Sequence, residues 1–588
     1  MRILTVVGVA VILSAGCMHF GTKLSTDARF QRVADEFVTT HFAARPLEAV
    51  ALGWHKYDGR FIVPDQDALI LEIERLKRFD AAFAEITPDP LLPSHRHDLR
   101  LLLSTIAGQR WILETHRAPW RNPMFYAGAL DISIYLKRDF KPLPERVRDM
   151  AVILQHAPAL MAAARANLEP TLPKPLVETA IEIADGTASF LEKDVSKAAS
   201  TVQDAAVRTE FDATSKKAIA ELRTFIDWLK TEKLPKADNS FALGRDAYIR
   251  MLKSEFVDLT PEQILEIGMR ELRAEQQRFA QAAALIDSNR PTLDIYRAIQ
   301  REHPTAKGLL PDTRKNLETI RLFIVDRRLL TIPGEVRARV EETLPPFRST
   351  SFASMDTPGP FERKATEAYY YVTPVEPDWT PKQAEEWLTA FNYYALDVTS
   401  IHEAYPGHYV QFLALNASPI SAVDKVFSSY PFVEGWALYC EQMMVDEGFG
   451  QPRNPATATG DERIRAAKYR LEQSDEALLR LCRLCCSIKL HCQGMTVDDA
   501  TRFFMENCYF EEKPARQEAI RGTYDPGYLY YTLGKLMILK LRRDWQTQEG
   551  ANFTLRRFHD EFLRHGAPPI RLLREIMLKD SKAWADLL

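Results

Sequence analysis

A pair of histidines six residues apart, with a glutamate beside the first, is the part of this sequence best suited to chemistry. The segment reads His402-Glu403-Ala404-Tyr405-Pro406-Gly407-His408. Hydrolytic zinc sites combine such imidazoles with a third protein ligand and an open position for water. A carboxylate next to a ligand can accept a proton from that water. The segment therefore indicates a zinc site with His402 and His408 as ligands and Glu403 as general base.

The spacing of the two histidines differs from the common arrangement, in which they lie four residues apart on one helix face. At about 100° per residue, six residues would turn His408 roughly 120° away from His402 on an unbroken helix. Pro406 removes an amide donor and clashes with the preceding turn, while Gly407 tolerates almost any backbone angle. We predict a distortion that loops out two residues and returns His408 to the side of His402.

A third ligand is expected from a second helix, predicted to begin near residue 429 and to stop at Gly448. Pro431 stands near its first helical position, where proline is well tolerated. Glu434 and Glu441 are seven residues apart and therefore share one face of this helix. We predict Glu434 as the metal ligand. Glu441 is the reserve candidate for that ligand and could instead orient a histidine from behind; the alternative is a charge on the helix surface.

The segment from Arg521 to Arg543 offers groups for the rest of such a reaction. A zinc hydrolase needs a donor for the oxyanion of its tetrahedral intermediate, and tyrosine often serves. Four tyrosines are available, each of which is otherwise explained by packing: Tyr524, Tyr528, Tyr530 and Tyr531. Arg521 could pair with a substrate carboxylate through two hydrogen bonds, which would favour exopeptidase action.

The elements that must position these groups are mostly helices. Residues 261–286 place apolar side chains at three- and four-residue steps, behind a start signal formed by Thr260, Pro261 and Gln263. Thr380 and Gln383 repeat that signal ahead of the histidine motif. We expect a mainly α fold with a small β-sheet, in which residues 29–588 form one two-lobed catalytic domain with a central cleft. The metal-site helices occupy about residues 381–447 of it.

The small sheet is predicted between about residues 317 and 375. Residues 320–325 and 368–373 are short runs rich in β-branched and aromatic side chains, and several prolines lie between and after them. Tyr370 stands in the second run, about thirty residues before His402. An edge strand there could align an extended peptide along the cleft, with Tyr370 in contact with substrate. The alternative is a purely structural sheet.

The N-terminus resembles an export signal. Arg2 supplies a basic residue, residues 3–13 an apolar stretch, and Ser14, Ala15 and Gly16 small residues ahead of Cys17. We predict a signal peptide over residues 1–17 with Cys17 as a lipidated first residue, and a tether over residues 18–28. Ordinary cleaved secretion and a retained anchor are the alternatives. The expected location is the bacterial outer membrane facing the periplasm, or the periplasm itself.

Composition excludes some classes of protein. The 588 residues are 46% hydrophobic and 27% charged, with a formal net charge of −4. The sequence lacks the excess of basic residues that would indicate nucleic-acid binding, and no stretch after the N-terminus is apolar enough to span a membrane.

Four cysteines, Cys482, Cys485, Cys486 and Cys492, lie on or just after a leucine-rich helix and look first like small buried hydrophobes. A metal or redox Cys-x-x-Cys is the alternative, and a disulfide among Cys440, Cys492 and Cys508 is left open.

Two motifs together carry a family resemblance. Glu434-Gly435-Trp436-Ala437, followed by Glu441, resembles the Glu-Gly-Phe-Ala run that carries the third zinc ligand in gluzincin metallopeptidases. With the histidine segment, the whole pattern resembles the DUF885 family, a bacterial group placed among zincin-like peptidases. Weaker matches flank them at Pro46-Leu47-Glu48-Ala49-Val50-Ala51-Leu52-Gly53, Arg521-Gly522-Thr523-Tyr524-Asp525-Pro526-Gly527, Tyr531-Thr532-Leu533-Gly534-Lys535 and Phe558-His559-Asp560. The resemblance implies a mostly helical metallopeptidase fold and favours Tyr531 as the oxyanion donor, with Tyr524 second.

We therefore expect an exported peptidase that binds one zinc ion per chain and acts on peptides. Two alternatives stay open at this point. The same ligands could serve hydrolysis of an ester or another amide, or the helical body could be a catalytically inactive lipoprotein that binds a partner. Nothing in the sequence indicates an oligomeric state.

Overall fold

The computed structural model describes residues 25–344, 347–348, 351–452 and 454–588. The α-helices of the first half are α1 (Thr26–Ala44), α2 (Pro46–Ala51), α3 (Gln66–Ala84), α4 (Pro93–Arg110), α5 (Ala118–Arg121), α6 (Met124–Ala127), α7 (Ile134–Lys137), α8 (Leu143–Leu154), α9 (Ala157–Asn167), α10 (Lys174–Phe190), α11 (Ser196–Ser200), α12 (Ala205–Trp228), α13 (Arg245–Ser254), α14 (Pro261–Ile286), α15 (Thr292–Gln300) and α16 (Leu309–Arg327).

Three strands follow, β1 (Arg339–Glu342), β2 (Ala353–Asp356) and β3 (Tyr369–Val372). The remaining helices are α17 (Pro381–Thr389), α18 (Tyr393–Glu403), α19 (His408–Ala417), α20 (Ala422–Val426), α21 (Tyr430–Asp446), α22 (Gly460–Cys492), α23 (Val497–Asn507), α24 (Glu512–Tyr524), α25 (Tyr530–Glu549), α26 (Leu555–Leu563) and α27 (Ile570–Met577). The predicted mainly α fold with a small sheet is confirmed.

The N-terminal predictions fall mostly outside the described residues. The signal peptide, Cys17 and residues 18–24 of the tether all lie there. The end of the predicted tether is wrong, because α1 begins at Thr26, with the Ser25 side chain accepting a hydrogen bond from the backbone N–H of Ala28. In the part of the chain that the structure describes, no helix is long and apolar enough to cross a membrane.

Two hydrophobic cores divide the chain. The first is built mainly from α1 to α12 and includes Phe37, Leu102 and Leu222. The second is built mainly from α13 onward and includes the aromatic side chains of the histidine motif and of α21. The connection after α20 reaches across, because Phe427 packs its ring 5.7 Å from that of Phe37.

The three strands form a sheet of order β1-β3-β2. β3 pairs in parallel with β1, where Val340 lies opposite Tyr370, and antiparallel with β2, where Met355 lies opposite Tyr370. The predicted strand at residues 368–373 is confirmed, but it is the central strand. The edge that faces the histidine motif belongs to β2 instead.

The predicted strand at residues 320–325 is wrong, because this run lies inside α16. Leu317, Ile320 and Ile324 are buried at three- and four-residue steps along that helix. A short apolar run does not by itself separate a buried helix segment from a strand. The two helix-start signals are confirmed, since Thr260 and Gln263 close a capping box on α14, as do Thr380 and Gln383 on α17.

Two glycines allow α21 and α25 to cross in backbone contact. A Cβ atom on Gly435 would lie 2.6 Å from the carbonyl carbon of Gly534, and one on Gly534 would lie 2.0 Å from the carbonyl oxygen of Pro431. Glu434 precedes the first glycine on α21, and Tyr531 lies one turn before the second on α25. The contact therefore sets the distance between the two elements that carry these side chains.

We expect Gly435→Ala and Gly534→Ala each to lower the free energy of unfolding by about 1–3 kcal/mol, because the added methyl meets backbone that cannot turn aside. Gly186→Ala in α10 is the matched control, since a Cβ atom added there would have no atom within 4 Å. That change should raise stability by about 0.5–1 kcal/mol. Urea denaturation of the three variants checks this, and equal effects at all three glycines would contradict it.

Candidate metal centre

The chain breaks between the two histidines. α18 ends at Glu403, one residue after His402, and α19 begins at His408. The Tyr405–Pro406 peptide bond is cis. The predicted distortion is present in a stronger form, as an end and a restart of the helix rather than a bulge of two residues. It brings the two imidazole rings to a centroid distance of 4.9 Å, nearly perpendicular to each other at 87°.

Two contacts hold this break in place. A Cβ atom on Gly407 would lie 1.7 Å from the carbonyl oxygen of His402, so no larger residue fits there. The indole Nε1 of Trp436 donates a hydrogen bond of 3.0 Å to the carbonyl oxygen of Pro406. Sequence reasoning did not assign a role to Trp436. Its position directly after Glu434 and Gly435 in the sequence was the signal that could have indicated a role at the site.

Three side-chain atoms converge at the break. Oε2 of Glu434, on α21, lies 3.5 Å from Nε2 of His402 and 3.5 Å from Nε2 of His408. These residues form one of two groups among the described residues whose geometry could hold a metal ion. Ligands at about 2.1 Å from a tetrahedral zinc ion lie about 3.4 Å from one another. The observed separations match that spacing.

The electrostatics of the three residues also suit a cation. Burial alone would lower the pKa of His402, but Glu434 and Glu441 outweigh it and raise that pKa to about 9. Burial opposes ionisation of Glu434, yet His408 and His402 hold the pKa of its carboxyl well below the usual range. Oε2 of Glu434 is buried and has no hydrogen bond of normal geometry to a described residue. A buried carboxylate oxygen without a donor is a costly arrangement unless a cation binds it. The residues present therefore fit a zinc ion.

Glu441 lies behind His402. Its Oε1 is 2.7 Å from Nδ1 of His402, and the side chain is only 1% exposed. A carboxylate at Nδ1 fixes the tautomer that leaves Nε2 free as a ligand and makes that nitrogen more basic. The structure thus places Glu441 in the orienting position and not on the helix surface.

Glu403 lies at the end of α18, beside the ligands but not among them. Burial raises the pKa of its carboxyl, and His402 and His408 offset only part of that rise. The backbone N–H of Met355 in β2 donates to this carboxylate. The outer edge of β2 therefore runs past the site. Sequence reasoning missed β2, because residues 353–356 carry no clear β pattern.

Tyr531 has its ring against that of His402. Its ring is stacked 6.4 Å from that of His402, and its hydroxyl lies 3.5 Å from Nη2 of Arg521. The guanidinium groups of Arg483 and Arg521 lie 5.2 and 5.9 Å from the centre of its ring. Asp525 Oδ2 accepts from both Nε and Nη2 of Arg521, at 3.2 and 3.0 Å. These contacts fix the ring at the mouth of the site.

Two predicted site residues do not reach the ligands. Tyr370 is fully buried, and its hydroxyl is 3.2 Å from the Ser400 hydroxyl in the core behind α18. The prediction that Tyr370 contacts substrate is wrong, because β3 is the central strand and points this side chain inward. Tyr524 ends α24 and makes no ring contact or hydrogen bond to the three ligands among the described residues.

The cysteines are not among the groups that converge on the site, although Cys440 precedes Glu441 on α21. Six are free thiols in the described part of the chain, and Cys482, Cys485 and Cys486 are buried on α22. Burial raises the pKa of the Cys485 thiol to about 12. Such thiols are poor nucleophiles at neutral pH. They occupy the core as small apolar groups, which was the first interpretation of their pattern.

The second group with metal-binding geometry consists of His97, Asp98 and Asp424. Nε2 of His97 lies 2.9 Å from Oδ1 of Asp424, and the Ser421 hydroxyl lies within hydrogen-bonding distance of both carboxylates. Burial, and then the charge of Asp424, raises the pKa of Asp98 to about 7. The Ser421 hydroxyl and the His97 imidazole thus link the two carboxylates, and the cluster ties α4 to α20.

Comparison with known proteins gives a family and a fold. A family model described as "Bacterial protein of unknown function (DUF885)" matches residues 46–577. A solved structure from Shewanella oneidensis, described as a candidate lipoprotein of unknown function, is 24% identical with a TM-score of 0.75, over 94% of this chain and 100% of that one. Another from Colwellia psychrerythraea, also described as a candidate lipoprotein, is 18% identical with a TM-score of 0.77, over 96% and 99% of the two chains. No curated protein matches. At these identities the structures show a shared fold.

We expect Glu441→Gln to weaken zinc binding by about 10- to 100-fold, because it removes the charge that supports His402. Glu447→Gln, at the C-terminal end of the same helix, is the control and should leave zinc affinity within about twofold. Competition of each protein against a chelating indicator measures the affinity. Equal affinity in the two variants would mean that Glu441 does not support a metal ligand.

Proposed function

The chain belongs to the DUF885 family, and from the geometry of its candidate metal centre we propose that it is a zinc-dependent peptidase. The observation that carries the proposal is the convergence of His402, His408 and Glu434 at the spacing of zinc ligands, with Glu403 beside them. Two imidazoles, one carboxylate and a neighbouring buried carboxylate form the donor set of a hydrolytic site with one open position.

A bound zinc ion would supply Lewis acidity, which lowers the pKa of water towards about 7 and polarises a carbonyl group. Glu403 takes the proton from the attacking water. Burial raises the pKa of its carboxyl, so the group holds a proton more readily than an exposed glutamate does. It can then deliver that proton to the leaving amine, whose departure breaks the peptide bond.

Tyr531 is the proposed donor to the oxyanion. Its phenol remains protonated, because burial and the charge of Glu434 raise its pKa. A hydroxyl held rigidly at the site stabilises the tetrahedral intermediate without having to reorganise. Arg521, proposed from the sequence to bind a substrate carboxylate, has two of its donors engaged by Asp525. In this arrangement it acts first as a positioning group for Tyr531.

The proposed substrates are short peptides in extended form. The outer edge of β2 passes Glu403 and offers backbone groups that could pair with a peptide main chain. The proposed location is outside the cytoplasm, with Cys17 as a lipid anchor. The description of two similar structures as candidate lipoproteins supports that location.

We expect Glu403→Gln to bind as much zinc as the unmodified protein and to lose about 10²- to 10⁴-fold in kcat, because the amide cannot accept the proton. Metal analysis and cleavage of a mixed peptide library, read by mass spectrometry, measure the two properties on mature protein. Unchanged cleavage in the variant would rule out Glu403 as the base. Zinc in both proteins without any cleavage would rule out peptides as substrates.

The two candidate tyrosines give a matched pair. We expect Tyr531→Phe to lower kcat by about 10- to 10³-fold with little change in KM, because a donor to the oxyanion acts mainly in the transition state. Tyr524→Phe should stay within about threefold of the unmodified enzyme. A larger loss for Tyr524→Phe than for Tyr531→Phe would reverse the assignment.

A further inference from the structure

A cavity of about 770 Å³ lies between the two cores. Its first wall comes from the N-terminal half of the chain and includes Leu52 and Ile134. Its second wall includes Met355 of β2 and Phe412 of α19. Binding sites for small molecules commonly lie in such a space between packed units.

Two residues of the cavity wall also contact the metal centre. Met355 lines it and also donates its backbone N–H to Glu403. Phe412 lines it from one turn beyond His408, with the two rings 6.3 Å apart. A peptide that places its scissile bond at Glu403 and follows the edge of β2 therefore reaches this cavity.

The walls contain polar groups without partners. The Oγ1 atoms of Thr343 and Thr357 are buried and make no hydrogen bond to a described residue, and both residues line the cavity. A buried hydroxyl without a partner is costly, so a polar ligand or water that reached these oxygens would relieve that cost. An apolar side chain alone would leave both hydroxyls unsatisfied.

One cation in the wall lacks a carboxylate partner. Lys425 is partly buried, and its ammonium donates a single long hydrogen bond of 3.5 Å to the carbonyl oxygen of Asn416. No carboxylate of the described residues forms an ion pair with it. The other lysine of the wall, Lys137, already lies 3.8 Å from Asp356. Lys425 is therefore the cation of the wall that an anionic ligand can satisfy. Asp131, a carboxylate of the same wall without an ion pair among the described residues, accepts a hydrogen bond from the backbone N–H of Ser133.

We propose that Lys425 binds a carboxylate of the substrate in this cavity and so selects anionic peptides. The inference rests on the proposed function, since it assigns the substrate class of the same site. Two sources of the carboxylate share this chemistry, the C-terminus of a short peptide and an acidic side chain. Arg521 already donates two hydrogen bonds to Asp525, so we assign recognition of the substrate carboxylate to Lys425 and not to Arg521.

Calorimetric titration tests the proposal without requiring turnover. The protein is the mature chain carrying Glu403→Gln, loaded with zinc. The probes are tetra-alanine with a free carboxylate, tetra-alanine amide, and a tetrapeptide amide with one glutamate. We expect an anionic peptide to bind about 10- to 100-fold more tightly than tetra-alanine amide, as a charge-assisted hydrogen bond in a partly buried site allows. Tighter binding of the first probe identifies a C-terminal carboxylate, and tighter binding of the third an acidic side chain.

Three variants in the same background complete the test. Lys425→Met should reduce the anionic peptides to the affinity of tetra-alanine amide, whereas Lys425→Arg should keep the preference. Lys382→Met is the control, because the Lys382 side chain on α17 is 85% exposed. This variant should also keep the preference for anionic peptides. Equal or absent binding of the three probes, or a preference that survives Lys425→Met, would overturn the inference. A preference that follows Lys425 in a protein whose unmodified form cleaves no peptide would overturn the proposed function alone.

Discussion

The break in the helix between His402 and His408 determines where the groups of the candidate metal centre lie. In an unbroken helix, a separation of six residues would place the two imidazoles on different sides of the helix. With the break, the second histidine becomes the first residue of a new helix, and the two rings meet at 4.9 Å. Only glycine fits at position 407, because a side chain there would collide with the carbonyl oxygen of His402. Trp436 binds the same turn from α21, so the helix that carries Glu434 also fixes the histidines.

Burial and neighbouring charges give the carboxyls of Glu403 and Glu434 different pKa values. Three carboxylates, the partly buried Glu403 and Glu434 and the fully buried Glu441, surround two imidazoles. Each carboxylate has a different neighbour, so each has a different protonation behaviour. Glu434 is held ionised by two histidines, whereas burial favours the protonated form of Glu403. Groups with identical chemistry are thereby separated into a candidate metal ligand and a candidate proton carrier.

The sequence predicted the parts that depend on local patterns. Residue type and spacing identified His402, His408, Glu434 and the capped starts of α14 and α17, because these follow from coordination chemistry and helix periodicity. Contacts between distant segments were not predictable in this way. The backbone contact of Gly435 with Gly534 and the approach of Met355 to Glu403 join residues about one hundred and about fifty positions apart. Tyr370 was misplaced for the same reason, because the order of strands in a sheet is not encoded in any one strand.

X-ray absorption at the zinc edge of the purified mature protein would show whether His402, His408 and Glu434 bind the metal, because it counts the ligand types around the ion. With about one zinc ion per chain, we expect two imidazoles and oxygen ligands at about 2.0–2.2 Å, with no sulfur. His408→Ala should remove one imidazole from that shell or abolish zinc binding. Sulfur scattering at about 2.3 Å would place the metal at the cysteines of α22, and a single imidazole would place it at His97, Asp98 and Asp424. Either result, or a protein that binds no zinc, would contradict the assignment of His402, His408 and Glu434 as the metal centre.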